Sequence, residues 1–167
     1  MLIVFSGLPG VGKTTIAREL ARQVGAVYLR IDSIEQAIRD SGLAPQSLDD
    51  LGYRCAYAAA EDNLRLGRCV IADCVNDVTI TRNAWVSVAT RAGVPALEIE
   101  IKCSDATEHR RRVERRDTDI CGLIGPTWEE VLTRQYEPWE RGHITIDTAN
   151  SNVAEAVEII RRSIVKP

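Results

Sequence analysis

Gly7-Leu8-Pro9-Gly10-Val11-Gly12-Lys13-Thr14 is the stretch that decides how the rest of this 167-residue chain is to be read. It fits G-x-x-x-x-G-K-[ST], the loop that cradles nucleotide phosphates. The apolar run Leu2-Ile3-Val4-Phe5 precedes it and a helical pattern from Thr15 to Val24 follows. Strand, glycine loop, helix is the context the motif requires. The glycines free the backbone to turn its N–H groups inward as a nest for anions, and the helix adds its positive end to the same spot. Lys13 is expected to reach the β- and γ-phosphates, and the Thr14 hydroxyl to ligate Mg²⁺, with Thr15 next to it in the nucleotide site. Pro9 stiffens the loop.

Working outward, apolar runs alternate with helical patterns. Strands are expected at Ala26–Ile31, Cys69–Ala72, Ala96–Ile101 and Ile144–Ile146. Helices are expected at Ser33–Asp40, Asp49–Leu66, Thr79–Ala92, Asp105–Arg116, Trp128–Tyr136 and Val153–Ile164. Strands separated by helices, without hairpin signals, imply a parallel sheet covered on both faces, with ligands at the carboxyl ends of the strands. No linker, repeat or low-complexity stretch divides the chain, so one domain is expected over 1–167.

The formal net charge of −3 gives no global attraction to nucleic acid or to an anionic membrane. No apolar run approaches membrane-spanning length, and no leader sequence is expected. The five cysteines have no C-x-x-C spacing, which fits half-buried thiols in a reducing cytoplasm better than disulfides or metal ligands.

Two acids close expected strands. Cys69-Val70-Ile71-Ala72-Asp73 has the form of a Walker B strand, whose acid would hold the Mg²⁺ shell; an Asp that only caps the next turn reads equally well. Asp32 ends the second strand, where a phosphotransferase needs a carboxylate to orient an acceptor hydroxyl and take its proton; the plain alternative is a helix cap. Asn76 and Arg82 follow Asp73 and are positional candidates for acceptor contacts. Arg110, Arg111, Arg112, Arg115 and Arg116 crowd one helix before a loop containing Gly122, Gly125 and Pro126. This spacing suggests a lid over about 112–127, whose closure brings guanidinium groups onto the phosphates and excludes water. Arg112 and Arg116, four apart, are the pair expected to do so, with Glu108 and Glu114 able to pair with others. Thr127-Trp128 and Tyr136-Glu137-Pro138-Trp139 place aromatics near the lid, as packing or as an acceptor wall. His109 and His143 show no triad or metal spacing and read as ordinary surface histidines.

Gly7 to Thr14, Ile31-Asp32-Ser33-Ile34, the acid after the third strand, the arginine-rich lid stem and Ile146-Asp147-Thr148 together resemble the small P-loop kinases of the nucleoside-monophosphate-kinase-like group. Within it the chain is similar to AAA-type small-molecule kinases near the chloramphenicol phosphotransferase and zeta-toxin families. The resemblance implies a three-layer α/β/α P-loop NTPase fold with a five-stranded parallel sheet and a short Arg-rich lid. It also implies ATP with Mg²⁺ as the donor, Asp32 as the acceptor-site base, lid arginines on the transferring group, and the turn at Thr148 near the nucleotide base. The chain departs from adenylate-kinase-type enzymes, since Arg39 and Arg54 sit in no monophosphate-binding pattern. It departs from shikimate-kinase-like chains in carrying Asp73-Cys74 where those have a Gly-Gly run.

Three functions compete on these residues. The first is ATP-dependent transfer to a hydroxyl of a small molecule such as a metabolite, sugar or antibiotic. The second is a polynucleotide or nucleotide kinase, against which the acidic balance and the lack of a basic stripe count. The third is a regulatory ATPase or nucleotide-binding switch.

Overall fold

The computed structural model describes residues 1–42, 48 and 50–164. The order of elements is β1 (Leu2–Ser6), α1 (Lys13–Val24), β2 (Val27–Arg30), α2 (Ile31–Asp40), α3 (Leu51–Arg65), β3 (Val70–Asp73), α4 (Thr79–Arg91), β4 (Ala96–Lys102), α5 (Ala106–Glu114), α6 (Trp128–Thr133), β5 (Ile144–Asp147) and α7 (Val153–Ile164). The five strands form one parallel sheet in the order β2-β3-β1-β4-β5. From β1 the chain crosses to one flank of the sheet, and after β3 it crosses to the other. The crevice at the carboxyl ends therefore opens beside β1, where the glycine loop lies.

Alternation along β1 explains the layers. Ile3 and Phe5 face α1 and α7, packing with Ile16, Leu20, Val157 and Ile160. Leu2 and Val4 face α2, α3 and α4, packing with Ile31, Ala60, Leu64 and Trp85. All five residues of β1 are buried, as a central parallel strand requires. Each large apolar side chain buried this way contributes about 1.5–3 kcal/mol. The three-layer α/β/α arrangement with a five-stranded parallel sheet is the fold expected from the sequence.

Some boundaries differ. α2 begins at Ile31, directly after β2, rather than at Ser33. Asp32 thus sits in the first helical turn instead of ending a strand, and α2 has no side-chain cap. An acid in that turn complements the helix dipole. α3 begins at Leu51; the expected start at Asp49 lies outside the described residues. α6 stops at Thr133, three residues early, where Arg134 turns extended at φ −63°, ψ 123°. Its start is fixed by a capping box between Thr127 and Glu130.

On β4, Ile99 and Ile101 enter the core while Glu98 and Glu100 point to the opposite face and are buried. Burial of a carboxylate requires a partner. Arg141 grips Glu98 at 2.5 and 2.6 Å, and Lys102 and His143 approach Glu100 at 2.8 and 3.2 Å. This pins the segment that returns from α6 to β5. Among the described residues, no helix is long and apolar enough to cross a membrane.

Candidate active site

The loop from Gly7 to Gly12 is held by contacts that leave room only for glycine at key points. Gly7 has φ 139°, and a Cβ there would lie 2.2 Å from the Ile101 carbonyl oxygen. Its N–H donates to Val75 O at 2.9 Å, tying the loop to the strand-three side. Leu8 packs half-buried against the core, Pro9 is buried, and Val11 anchors the loop in the core. Gly12, at φ 97°, is the N-cap of α1, whose first turn carries no side-chain cap and no acid. The helix thus offers bare N–H groups and its positive end to an anion.

Lys13 is 8 % exposed, and its ammonium donates to Leu8 O at 2.9 Å. Burial lowers its pKa, while Asp73 and then Asp32 oppose that shift. Thr14 and Thr15 follow on the wall of a cavity of about 1320 Å³ that also takes in Lys13, Asp32 and Asp73. A single drug-sized ligand site measures roughly 300–1,000 Å³, so this open cleft is larger than one such site.

Asp73 ends β3 in register with Phe5 and Arg30. It is buried, and Tyr28 donates its hydroxyl to Oδ2 at 2.7 Å. The Tyr28 pKa is raised, first by burial and then by the Asp73 charge. Asp32 is more open, with 37 % of its side chain exposed, and Oδ2 lies 3.5 Å from Arg30 and 3.7 Å from Arg116. Among the described residues, no group of three His, Cys, Asp or Glu side chains could hold a metal by itself. The Thr14 hydroxyl and the Asp73 carboxylate are hard oxygen donors on one wall, which is the chemistry Mg²⁺ takes when phosphate and water complete its shell.

The arginine cluster divides. Arg110 pairs with Glu114 and Arg111 with Glu108 on the helix surface, while Arg115 is exposed. Arg112 and Arg116 both reach the cavity. Arg112 bonds Glu108 at 2.8 Å, Thr148 Oγ1 at 2.8 Å and Thr148 O at 3.2 Å. Its fork is engaged on the β5–α7 turn, with Nη1 4.0 Å from where a Cβ on Gly12 would lie, so Arg112 stays beside the glycine loop. Thr148 in turn donates to Val11 O at 2.8 Å, so this turn is fastened to the glycine loop. Arg116 points towards Asp32, and its charge also acts to lower the Lys13 pKa.

Two acceptor candidates are corrected. Asn76 is fully buried at φ 54°, donates Nδ2–H to Ser6 Oγ at 3.0 Å and lies off the cavity wall. Arg82 is 1 % exposed and spends its donors on the carbonyls of Asn76, Asp77, Glu137 and Pro138 at 2.8–3.1 Å. Tyr136 and Trp139 lie over its guanidinium at 5.1 and 4.3 Å, so these aromatics pack the segment that returns from α6 to β5. Of the two histidines, His109 is buried and His143 half-buried. His109 is 6 % exposed and His143 stacks on Trp139 at 4.2 Å.

The structure adds residues that sequence reasoning passed over. Arg30, buried at the end of β2, donates to Asp119 Oδ1 at 2.8 Å, and Arg18 of α1 donates to the other oxygen. Asp119 belongs to the segment between α5 and α6, so two guanidinium groups hold that segment across the cavity. These two hydrogen bonds keep the Asp119 carboxyl well below its usual range. Gly122 of the same segment lies against Gln36 of α2, with 3.0 Å between a would-be Cβ and Nε2. The available signal was a charged residue closing an otherwise apolar strand, Val27-Tyr28-Leu29-Arg30.

A model of the AAA domain family matches residues 2–135. The chain is 28% identical over 179 aligned residues to an uncharacterized protein of Mycobacterium tuberculosis, with 98% of this chain aligned but only 35% of that protein. It therefore spans about a third of the length of that curated relative. It is 25% identical over 146 residues to a cytidylate kinase of Ignicoccus hospitalis, covering 84% of this chain and 77% of that one. A candidate kinase from Chloroflexus aurantiacus superposes with a TM-score of 0.74 at 20% identity, covering 98% of this chain and 94% of that chain. A sugar kinase from Janibacter superposes with a TM-score of 0.70 at 17% identity, covering 98% and 93%. The Kti12 protein of Chaetomium thermophilum, solved with ADP-AlF3, gives a TM-score of 0.67 at 21% identity, covering 99% and 100%. On the match over residues 2–135, with the loop and sheet that support it, this chain belongs to the AAA domain family.

Proposed function

We propose that this protein moves the γ-phosphoryl group of ATP to a hydroxyl of a small molecule. The observation that carries the reading is Asp32, a partly open carboxylate in the same cavity as Lys13 and Thr14, beside Arg116. In the transfer, the acceptor oxygen forms a bond to the γ-phosphorus, the bond to the β-phosphate oxygen breaks, and the hydroxyl proton goes to Asp32. Lys13 and the α1 N-terminus hold the phosphates, and Arg116 faces the group in transit. Thr14 and Asp73 would hold Mg²⁺, which neutralises phosphate charge when bound. The segment at Asp119 excludes water, which competes with the acceptor for the phosphoryl group. The five free thiols fit a cytoplasmic setting.

A nucleotide acceptor is the second reading, favoured by the similarity to a cytidylate kinase. Against it, Arg39 and Arg134 on the cavity wall already face Glu35 and Asp77 at 3.5 and 3.1 Å, where an acceptor monophosphate needs unclaimed cations.

The test is a phosphate-transfer screen of ATP against hydroxyl compounds, nucleoside monophosphates and oligonucleotides. Lys13→Ala should abolish transfer. Asp32→Asn should cut kcat by about 10²–10⁴ while ATP affinity changes little, the signature of a lost base. Equal loss of both would mark Asp32 as a structural group. Hydrolysis with no acceptor found would instead support a regulatory ATPase.

A further inference from the structure

The Pro9 carbonyl oxygen meets α5, at a residue that does not line the cavity beside the glycine loop. His109, one turn into α5, places Nε2 2.7 Å from Pro9 O. A carbonyl oxygen only accepts, so Nε2 carries the hydrogen and donates it. The ring is buried and is held edge-on by Trp128, at 5.1 Å and 85°. Trp128 opens α6, on the far side of the lid segment. The approach is close: a Cβ on Gly10 would meet Val113 Cγ2 at 2.5 Å and His109 Cδ2 at 3.4 Å.

We propose that His109 is a positioning residue for the phosphate nest, acting through the Pro9–Gly10 peptide. A trans peptide is planar, with its C=O and N–H pointing in opposite directions. Fixing the Pro9 oxygen outward against His109 fixes the Gly10 N–H inward, towards the space where the nest takes phosphate. Without the donor, the outward carbonyl is buried and unsatisfied, and the peptide gains reason to rotate and turn its N–H away. His109 thereby lets both stems of the lid, α5 directly and α6 through Trp128, set the shape of the phosphate site. This rests on the nucleotide-binding reading of the loop, and on nothing about the acceptor.

The test measures binding of ATP and of inorganic tripolyphosphate to wild type and three variants, with thermal unfolding of each. His109→Leu fills similar space but removes the donor. His109→Asn keeps an amide donor that is one bond too short. His109→Gln places its Nε2 at the same bond count from Cβ as the histidine Nε2. The expected result is about tenfold weaker binding of both ligands for Leu and Asn, worth ~1.4 kcal/mol, with Gln within threefold of wild type. Unchanged affinity in His109→Leu, or lower stability alone, overturns the role. Weakening for ATP but not for tripolyphosphate also overturns it, since the effect would then lie at the base. A wild-type protein that binds neither ligand overturns the nucleotide reading itself, a result distinct from any of these.

Discussion

At the scale of single residues, the glycine loop works because of what presses on it. Gly10 adopts φ 84°, and a methyl group there would meet the stiff, β-branched Val113 at 2.5 Å. Gly10→Ala therefore carries two separable penalties, the left-handed backbone and the collision. The backbone part costs about 1–2 kcal/mol. The collision should be relieved by Val113→Ala. We expect Gly10→Ala to lower the unfolding temperature and weaken ATP binding. The double variant should recover the steric share and retain the backbone share. A double-mutant cycle on unfolding free energy checks this, and strict additivity of the two changes would refute the contact. The same residue scale shows why Arg112 and Arg116 part company. Arg112 lies inside the last turn of α5 and is turned to Thr148, whereas α5 has ended before Arg116.

At the scale of elements, the segment between α5 and α6 behaves as a strap across the crevice, buckled where Asp119 meets Arg18 and Arg30. Asp119→Asn removes the charge and half the bonding capacity of that buckle. It should raise ATP hydrolysis without acceptor, relative to transfer, several-fold, while the unfolding temperature hardly moves. A ratio equal to wild type would remove the strap from the reaction. The Asp119 carboxyl is held below its ordinary value of 3.8, so its contribution is fully present above that pH and is lost only as pH falls through the lower folded value. The hydrolysis-to-transfer ratio should accordingly stay flat from about pH 8 to pH 5 as far as this group decides it. Elements of this kind mark the limit of sequence legibility. The sheet strands and α1, α4 and α7 follow from apolar period and glycine stops, and so could be read directly. The Asp119 contact joins residues 101 and 89 positions away through one exposed and one buried arginine, and no local period encodes such a pairing. Asp32 was legible as an acid at the right edge, but the helix start at Ile31 was hidden because Ile31 serves strand-like burial and helix equally.

At the scale of the whole molecule, the two halves of the crevice rim are joined by a buried cation rather than by apolar packing alone. Arg82 rises from α4 and binds two carbonyls of the β3–α4 loop, Asn76 and Asp77, and two of the return segment, Glu137 and Pro138. Its charge is solvated by these dipoles and by the faces of Tyr136 and Trp139. A planar fork with five donors suits four diverging acceptors, whereas a lysine ammonium has three donors and no such reach. Arg82→Met should leave several carbonyls buried without a donor, at about 1–3 kcal/mol each before relaxation. We expect a total loss of about 3 kcal/mol or more, which at this chain length lowers the unfolding temperature by roughly 6–12 °C. Arg82→Lys should fall nearer to Met than to wild type. Below the new unfolding temperature, ATP affinity should be kept, because none of these bonds touches the glycine loop. The measurement is denaturant unfolding alongside nucleotide titration at low temperature. A variant with wild-type stability and a raised acceptor KM would return Arg82 to the acceptor site. Loss of stability with an unchanged KM establishes it as the structural tie between the β3–α4 loop and the segment that returns to β5.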